Sequence, residues 1–277
     1  MVEVYILKRV TLAVTLAASW GAFALQAQTD TELRESRTWS LQGLRAGYCV
    51  RFLVEPELAS KELRQGSLLL TAERDQRLHP ALRRIVTEQP EFASWTPSNL
   101  CFYYMDAVKI GRRRVAERDR RFYQLIGVWT LAATEQEGGA PRDLVVDMYA
   151  SRNNLLNAAR AAQVRIHDVH SVVSDRPDST LDIYSIKVGK TLLVWNGRHT
   201  GDSTRVEEPI QESWSVSGLR SSIKVARLEL KPDWSWPLVG SLRVEGKGDL
   251  AKALGSSPIR FVGPLYRGGE GELRFSR

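Results

Sequence analysis

Tyr184-Ser185-Ile186-Lys187-Val188-Gly189-Lys190-Thr191-Leu192-Leu193-Val194-Trp195 reads as two strands joined across a tight turn at Gly189-Lys190. The same period-two signature recurs elsewhere. Ser241-Leu242-Arg243-Val244, Ile259-Arg260-Phe261 and Glu272-Leu273-Arg274-Phe275 alternate apolar and polar residues, as half-buried strands do. Longer apolar pieces at residues 48–54, 68–70, 102–105, 125–131 and 192–195 predict strands covered on both faces. Over residues 223–230 the apolar phase slips between Val225 and Leu228, which predicts a bulge.

Helical signals are sparse. Residues 80–89 carry Leu82, Ile85 and Val86 on one face, begin with Pro80 and stop before Pro90. Ser151 can cap a helix whose inner face is Leu155, Ala158, Ala159 and Ala162, and Asp249 can cap a short one ending at Gly255. The helix after Ser151 lies between strand-like residues 144–149 and 164–173, so one βαβ unit is expected. The fold class is therefore α+β: a mostly antiparallel curved sheet, barrel or sandwich, with a few short helices.

The N-terminus carries an address. Lys8 and Arg9 precede uncharged residues 10–25, and Ala22, Ala24 and Ala27 follow as small residues, which is the pattern of a secretory signal peptide over residues 1–27. The apolar run is short of the roughly 20 residues that a membrane-spanning helix wants. Residues 28–277 are then expected to form a single β-rich globular domain in the periplasm or outside the cell, with no transmembrane segment. Cys49 and Cys101 are the only cysteines. In an oxidising compartment they are expected to form one disulfide. Alone they lack the partners and spacing of a zinc site. No metal or cofactor is expected.

Motifs that would announce an enzyme fail on context. Gly189-Lys190-Thr191 ends like a phosphate loop, but Tyr184 stands where the leading glycine belongs. Gly246-x-Gly248-x-x-Ala251 is too near the C-terminus for a dinucleotide-binding unit. Ser221-x-x-Lys224 opens a strand, which sends side chains three apart to opposite faces. The same parity separates His167 from His170.

Two stretches concentrate polar chemistry. Trp195, Asn196, Arg198, His199 and Asp202 leave a buried strand and gather an imidazole, a guanidinium and a carboxylate, making them candidate ligand-binding residues. Arg112, Arg113, Arg114, Arg118, Arg120 and Arg121 form a basic run in a chain of net charge +7, a candidate anionic surface contact. Outside the cell such a run points to an anionic lipid, a polysaccharide or another envelope component, and not to nucleic acid. Trp234-Ser235-Trp236 is expected to cap the core or form a stacking platform.

The expected function is an exported, non-catalytic binding domain for an envelope-associated anionic or amphipathic ligand. The alternatives are a secreted or periplasmic hydrolase-like enzyme using the His199 loop with an acid such as Asp147 or Glu208, and an envelope structural or assembly protein. Sequence does not reach the oligomeric state.

Overall fold

The computed structural model describes residues 37–63, 67–111, 113–116, 124–151, 155–156, 166–175, 181–188, 190–216 and 224–276. The signal-like residues 1–27 lie outside this set. Among the described residues no helix is long and apolar enough to cross a membrane.

Strands dominate, as the alternation predicts. β1 (Thr38–Val54), β3 (Thr96–Ile110), β5 (Gln124–Thr134), β6 (Arg142–Ala150), β11 (Ile210–Ser215), β12 (Val225–Lys231) and β17 (Glu270–Ser276) pair in that order, and β17 returns to β1. The curved sheet therefore closes into a barrel, which leaves these strands without a free edge. Only the β6–β11 joint in this ring is parallel.

The interior holds one core: Trp39, Leu41, Cys101, Tyr103, Met105, Ile126, Val128, Val145, Met148, Trp214, Leu228 and Leu273. The outer wall carries the alternate residues, among them Tyr48, Val50, Phe52, Leu100, Phe102, Trp129 and Tyr149. Near-continuous apolar runs in β1, β3 and β5 follow from this two-sided burial.

A second sheet covers that outer wall. β7 (His167–Asp175) leaves β6 in parallel and pairs with β8 (Leu181–Val188), which forms a hairpin with β9 (Thr191–His199). β14 (Leu238–Gly246) completes it. The parallel β6–β7 pair is the crossover expected around Ser151. Leu155 and Leu156 are helical and buried, while most of that predicted helix lies outside the described residues.

The helices are short. α1 (Pro56–Glu62) and α2 (Pro80–Glu88) both start on proline, whose missing N–H costs nothing in a first turn. Leu82 of α2 packs with Leu53, Ala72 and Leu78 in a small third core. α3 (Asp249–Ser256) buries Leu250, Ala253 and Leu254 against the second sheet.

Two local expectations are corrected. Gly248 is the cap of α3 and Asp249 its first residue, where the carboxylate favours the positive end of the helix without bonding to it. β12 has no bulge: it pairs in unbroken register with β11 and β17, burying Ala226, Leu228 and Leu230, while Val225 is half-buried at the strand's start. The apolar Val225 belongs to a strand end, so its phase carries no information about register.

Close approach explains Gly127, on the buried β5. A Cβ there would stand 2.9 Å from Phe102 Cδ1 and 3.2 Å from Tyr149 Cδ2. Gly127→Ala is expected to cost about 1–3 kcal/mol by overpacking, read as a lower urea midpoint with unchanged slope.

Candidate active site

Inside the barrel, ionisable groups from several strands gather around Glu212. On β11, Ile210 and Trp214 face the interior core, so the two-residue period points Glu212 there too. On β1, Tyr48 and Val50 face outward while Cys49 packs on the interior core, which turns Arg51 inward. Tyr103 comes from β3 and Asp143 from the start of β6, in phase with Val145. Tyr266, on β16 (Leu265–Arg267), packs on the same core and lies opposite Gly47 of β1.

Glu212 receives hydrogen bonds from the Tyr103 hydroxyl and the Trp214 indole. It retains partial solvent access while its carboxyl is enclosed by protein. Burial, reinforced by Asp143, pushes its pKa up from the usual carboxylate value to about 7, against the pull of Tyr103, Arg51 and Trp214. Burial also holds Tyr103 well above the ordinary phenol value, with the Glu212 charge adding to the effect. Tyr103 is therefore a permanent donor, and Glu212 a group that gains and loses its proton near neutrality.

Arg51 is the shared cation of the cluster, acting on Glu212, Tyr103, Asp143 and Tyr266. It makes no hydrogen bond or ion pair among the described residues. Its fork of N–H donors suits a carboxylate. Asp143 has its own partner in Arg77 at 3.3 Å, and burial raises its pKa. Arg77 is in turn held by buried Asp75 at 3.3 Å. His79 caps α2, accepting from the Ala81 N–H at 3.2 Å, and stacks on Phe261 with centroids 4.1 Å apart. Burial, then Arg51, lowers its pKa, so it stays neutral.

Cys49 and Cys101, directly opposite across β1 and β3, are bonded to each other. Their sulfurs and a Glu212 carboxylate oxygen lie within 4.8 Å of one another. Cys49 Sγ is 3.9 Å from the Tyr103 hydroxyl.

A raised carboxyl pKa has a signed consequence for stability. Glu212 binds its proton more tightly folded than unfolded, so its contribution is complete below about pH 4.5 and is lost as pH rises through about 7. Glu212→Gln is expected to gain melting temperature relative to wild type between pH 5 and about pH 8. Thermal scans across that range check it.

The residues singled out from sequence are placed differently. Trp195 is buried between the barrel wall and the second sheet. Asn196 and Arg198 alternate with it on β9; Asn196, Arg198 and Asp202 are exposed. His199 is half-buried, 5.9 Å from the Trp236 ring. Period two thus divides the stretch between faces of the second sheet. Arg113 and Arg114 lie in β4 (Arg113–Ala116), paired with β3, and Arg112, Arg118, Arg120 and Arg121 lie outside the described residues. Trp234 is exposed and Trp236 half-buried, with Arg267 Cζ 5.8 Å from its ring centroid. Sequence reasoning missed Glu212, Arg51, Tyr103 and Asp143. The one available signal was a glutamate in phase with Ile210 and Trp214.

No family model matches this chain, and no curated protein does. Solved structures do. Acetoacetate decarboxylase from Legionella pneumophila superposes with a TM-score of 0.50 at 8% identity, covering 86% of this chain and 87% of that one. The fold is that of acetoacetate decarboxylase. An acetoacetate decarboxylase-like enzyme from Sphingomonas wittichii gives 0.45 at 9% identity, over 88% of this chain and 92% of its own. The enduracididine biosynthesis enzyme MppR gives 0.43 at 11%, over 86% of each chain. The Legionella pneumophila protein that shares this fold is an enzyme, and on that finding the expectation of a non-catalytic ligand-binding domain is corrected. That expectation rested on the lack of a contiguous catalytic motif, whereas the polar cluster of this chain is assembled from separate strands.

Proposed function

We propose that the chain is an enzyme performing general acid–base chemistry on a short oxo-carboxylate inside the barrel. The observation that carries this reading is the Glu212 carboxyl, poised at about 7 beside Arg51, whose guanidinium makes no hydrogen bond or ion pair among the described residues. Acetoacetate, named in the neighbouring enzyme, belongs to that substrate class.

In the proposed reaction Arg51 binds the substrate carboxylate through paired N–H donors. Ionised Glu212 takes a proton from the carbon next to the ketone. The C–H bond breaks, its electron pair moves into the carbonyl as an enolate, and the Tyr103 hydroxyl donates to the developing oxyanion. Returning the proton completes exchange; the same enolate serves any bond-breaking step that follows.

Carbonyl chemistry through an amine needs a desolvated lysine. Among the described residues every lysine but the half-buried Lys109 is exposed. This supports a route through carboxyl and phenol. The test is deuterium exchange into pyruvate and acetoacetate, followed by NMR against a protein-free control. Exchange above the control supports the reading, and a rate equal to it overturns it.

We also propose export, on the strength of Lys8, Arg9 and the apolar residues after them. Secretion of a reporter fused to residues 1–27 tests this.

A further inference from the structure

The bonded cysteine pair stands in an unusual place for a mere cross-link. Cross-strand disulfides that serve only as staples need no ionisable neighbour. Here the two sulfurs and a carboxylate oxygen of Glu212 lie within 4.8 Å of one another inside the barrel. The Tyr103 hydroxyl is 3.9 Å from Cys49 Sγ. The sulfurs are unequal in access: Cys101 is 2% exposed, whereas Cys49 is half-buried. Of the two residues Cys49 is the more open to solvent, and Cys101 is the one enclosed.

We propose that Cys49–Cys101 is a redox-active disulfide that exchanges with small dithiols in the folded protein, with Glu212 supplying and retrieving the proton of the buried thiol. This step shares Glu212 with the proposed acid–base reaction but rests on the apposition of sulfur and carboxyl, and it needs no oxo-acid.

The chemistry balances. One thiolate of the dithiol attacks Cys49 Sγ, forming a mixed disulfide and breaking the Cys49–Cys101 bond. Cys101 leaves with the electron pair and takes the proton of Glu212, which becomes a carboxylate. The second thiol of the dithiol loses its proton to solvent and attacks the sulfur its partner placed on Cys49, releasing a cyclic disulfide and Cys49 thiolate. Water protonates Cys49. The protein disulfide gains two electrons and two protons, and the dithiol is oxidised. A thiolate is the species that attacks, and leaving is easier when the departing sulfur can be protonated.

Among the described residues, Glu212 from β11 and Tyr103 from β3 lie beside the sulfurs, and Arg51 from β1, Asp143 from β6 and Tyr266 from β16 interact with Glu212 in turn.

The experiment follows reduction of the native full-length chain by dithiothreitol at pH 7, using mass spectrometry after alkylation. A rate first order in dithiothreitol, and faster than global unfolding measured by amide exchange, is expected. Glu212→Gln should lower that rate at least tenfold, and Glu212→Asp should recover part of it. A rate independent of dithiothreitol concentration overturns the proposal, because the disulfide then opens only by unfolding. An unchanged rate in Glu212→Gln overturns it as well. Far-UV circular dichroism verifies that each variant is folded. Should a variant not fold, the wild-type concentration dependence still decides. Oxo-acid exchange, measured without any thiol, fails or succeeds independently.

Discussion

Glu212→Gln is expected to reduce catalysed deuterium exchange into an oxo-acid by about a hundredfold or more, the usual worth of a positioned general base. The amide keeps the shape of the carboxyl and can still accept from Tyr103 and Trp214, so the loss should fall on kcat. Arg51→Met should act on the other parameter, raising KM by removing the carboxylate anchor. Tyr103→Phe removes a donor to the enolate oxygen and should again lower kcat. In wild type the exchange rate should climb through about pH 7, following ionisation of Glu212. Proton-NMR exchange rates at several substrate concentrations separate these outcomes. A Glu212→Gln variant with wild-type kcat would remove the acid–base reading.

Replacing both Cys49 and Cys101 with serine is expected to destabilise the fold by about 4 kcal/mol in the chain-entropy model. The bond closes a loop across a sequence separation of 52, joining the long strands β1 and β3 at the centre of the barrel. Most of that effect belongs to the unfolded chain, which gains freedom once the loop is open. Serine also places hydroxyls beside Glu212 and Tyr103, and one left without a partner there adds to the loss. Urea unfolding monitored by tryptophan fluorescence measures the change. A difference under 1 kcal/mol would mean that the cross-link contributes little to stability.

Much of the fold could be read from the chain because its signals are local. The 184–195 hairpin, the alternation in residues 241–244 and 272–275, and the helix opening at Pro80 all emerge as expected. The β6–β7 crossover follows from a helix signal between two strand signals. The choice between barrel and sandwich stayed open, since β17 returning to β1 joins the two ends of the described chain, and no periodicity encodes it.

The candidate site was illegible for the same reason. Arg51, Tyr103, Asp143 and Glu212 are scattered singly through apolar strands, and each looks like an ordinary strand residue in isolation. The polar run ending at Asp202 drew attention because its groups are neighbours in sequence. On β9 they alternate between faces, so adjacency along a strand separates side chains instead of gathering them. In Cys49-Val50-Arg51 the same rule places a sulfur and a guanidinium on one side of the wall. Sequence could offer that parity, but not the opposing strand that brings Glu212 to meet them.

The proposed chemistry requires a carboxyl kept protonated to near neutrality inside the barrel. Carbon-13 NMR of protein labelled at the glutamate carboxyl, with the Glu212 signal assigned through the Glu212→Gln variant, measures this directly. A titration midpoint at about 7 is expected for Glu212. A midpoint in the ordinary glutamate range, at about 4–5, would contradict it.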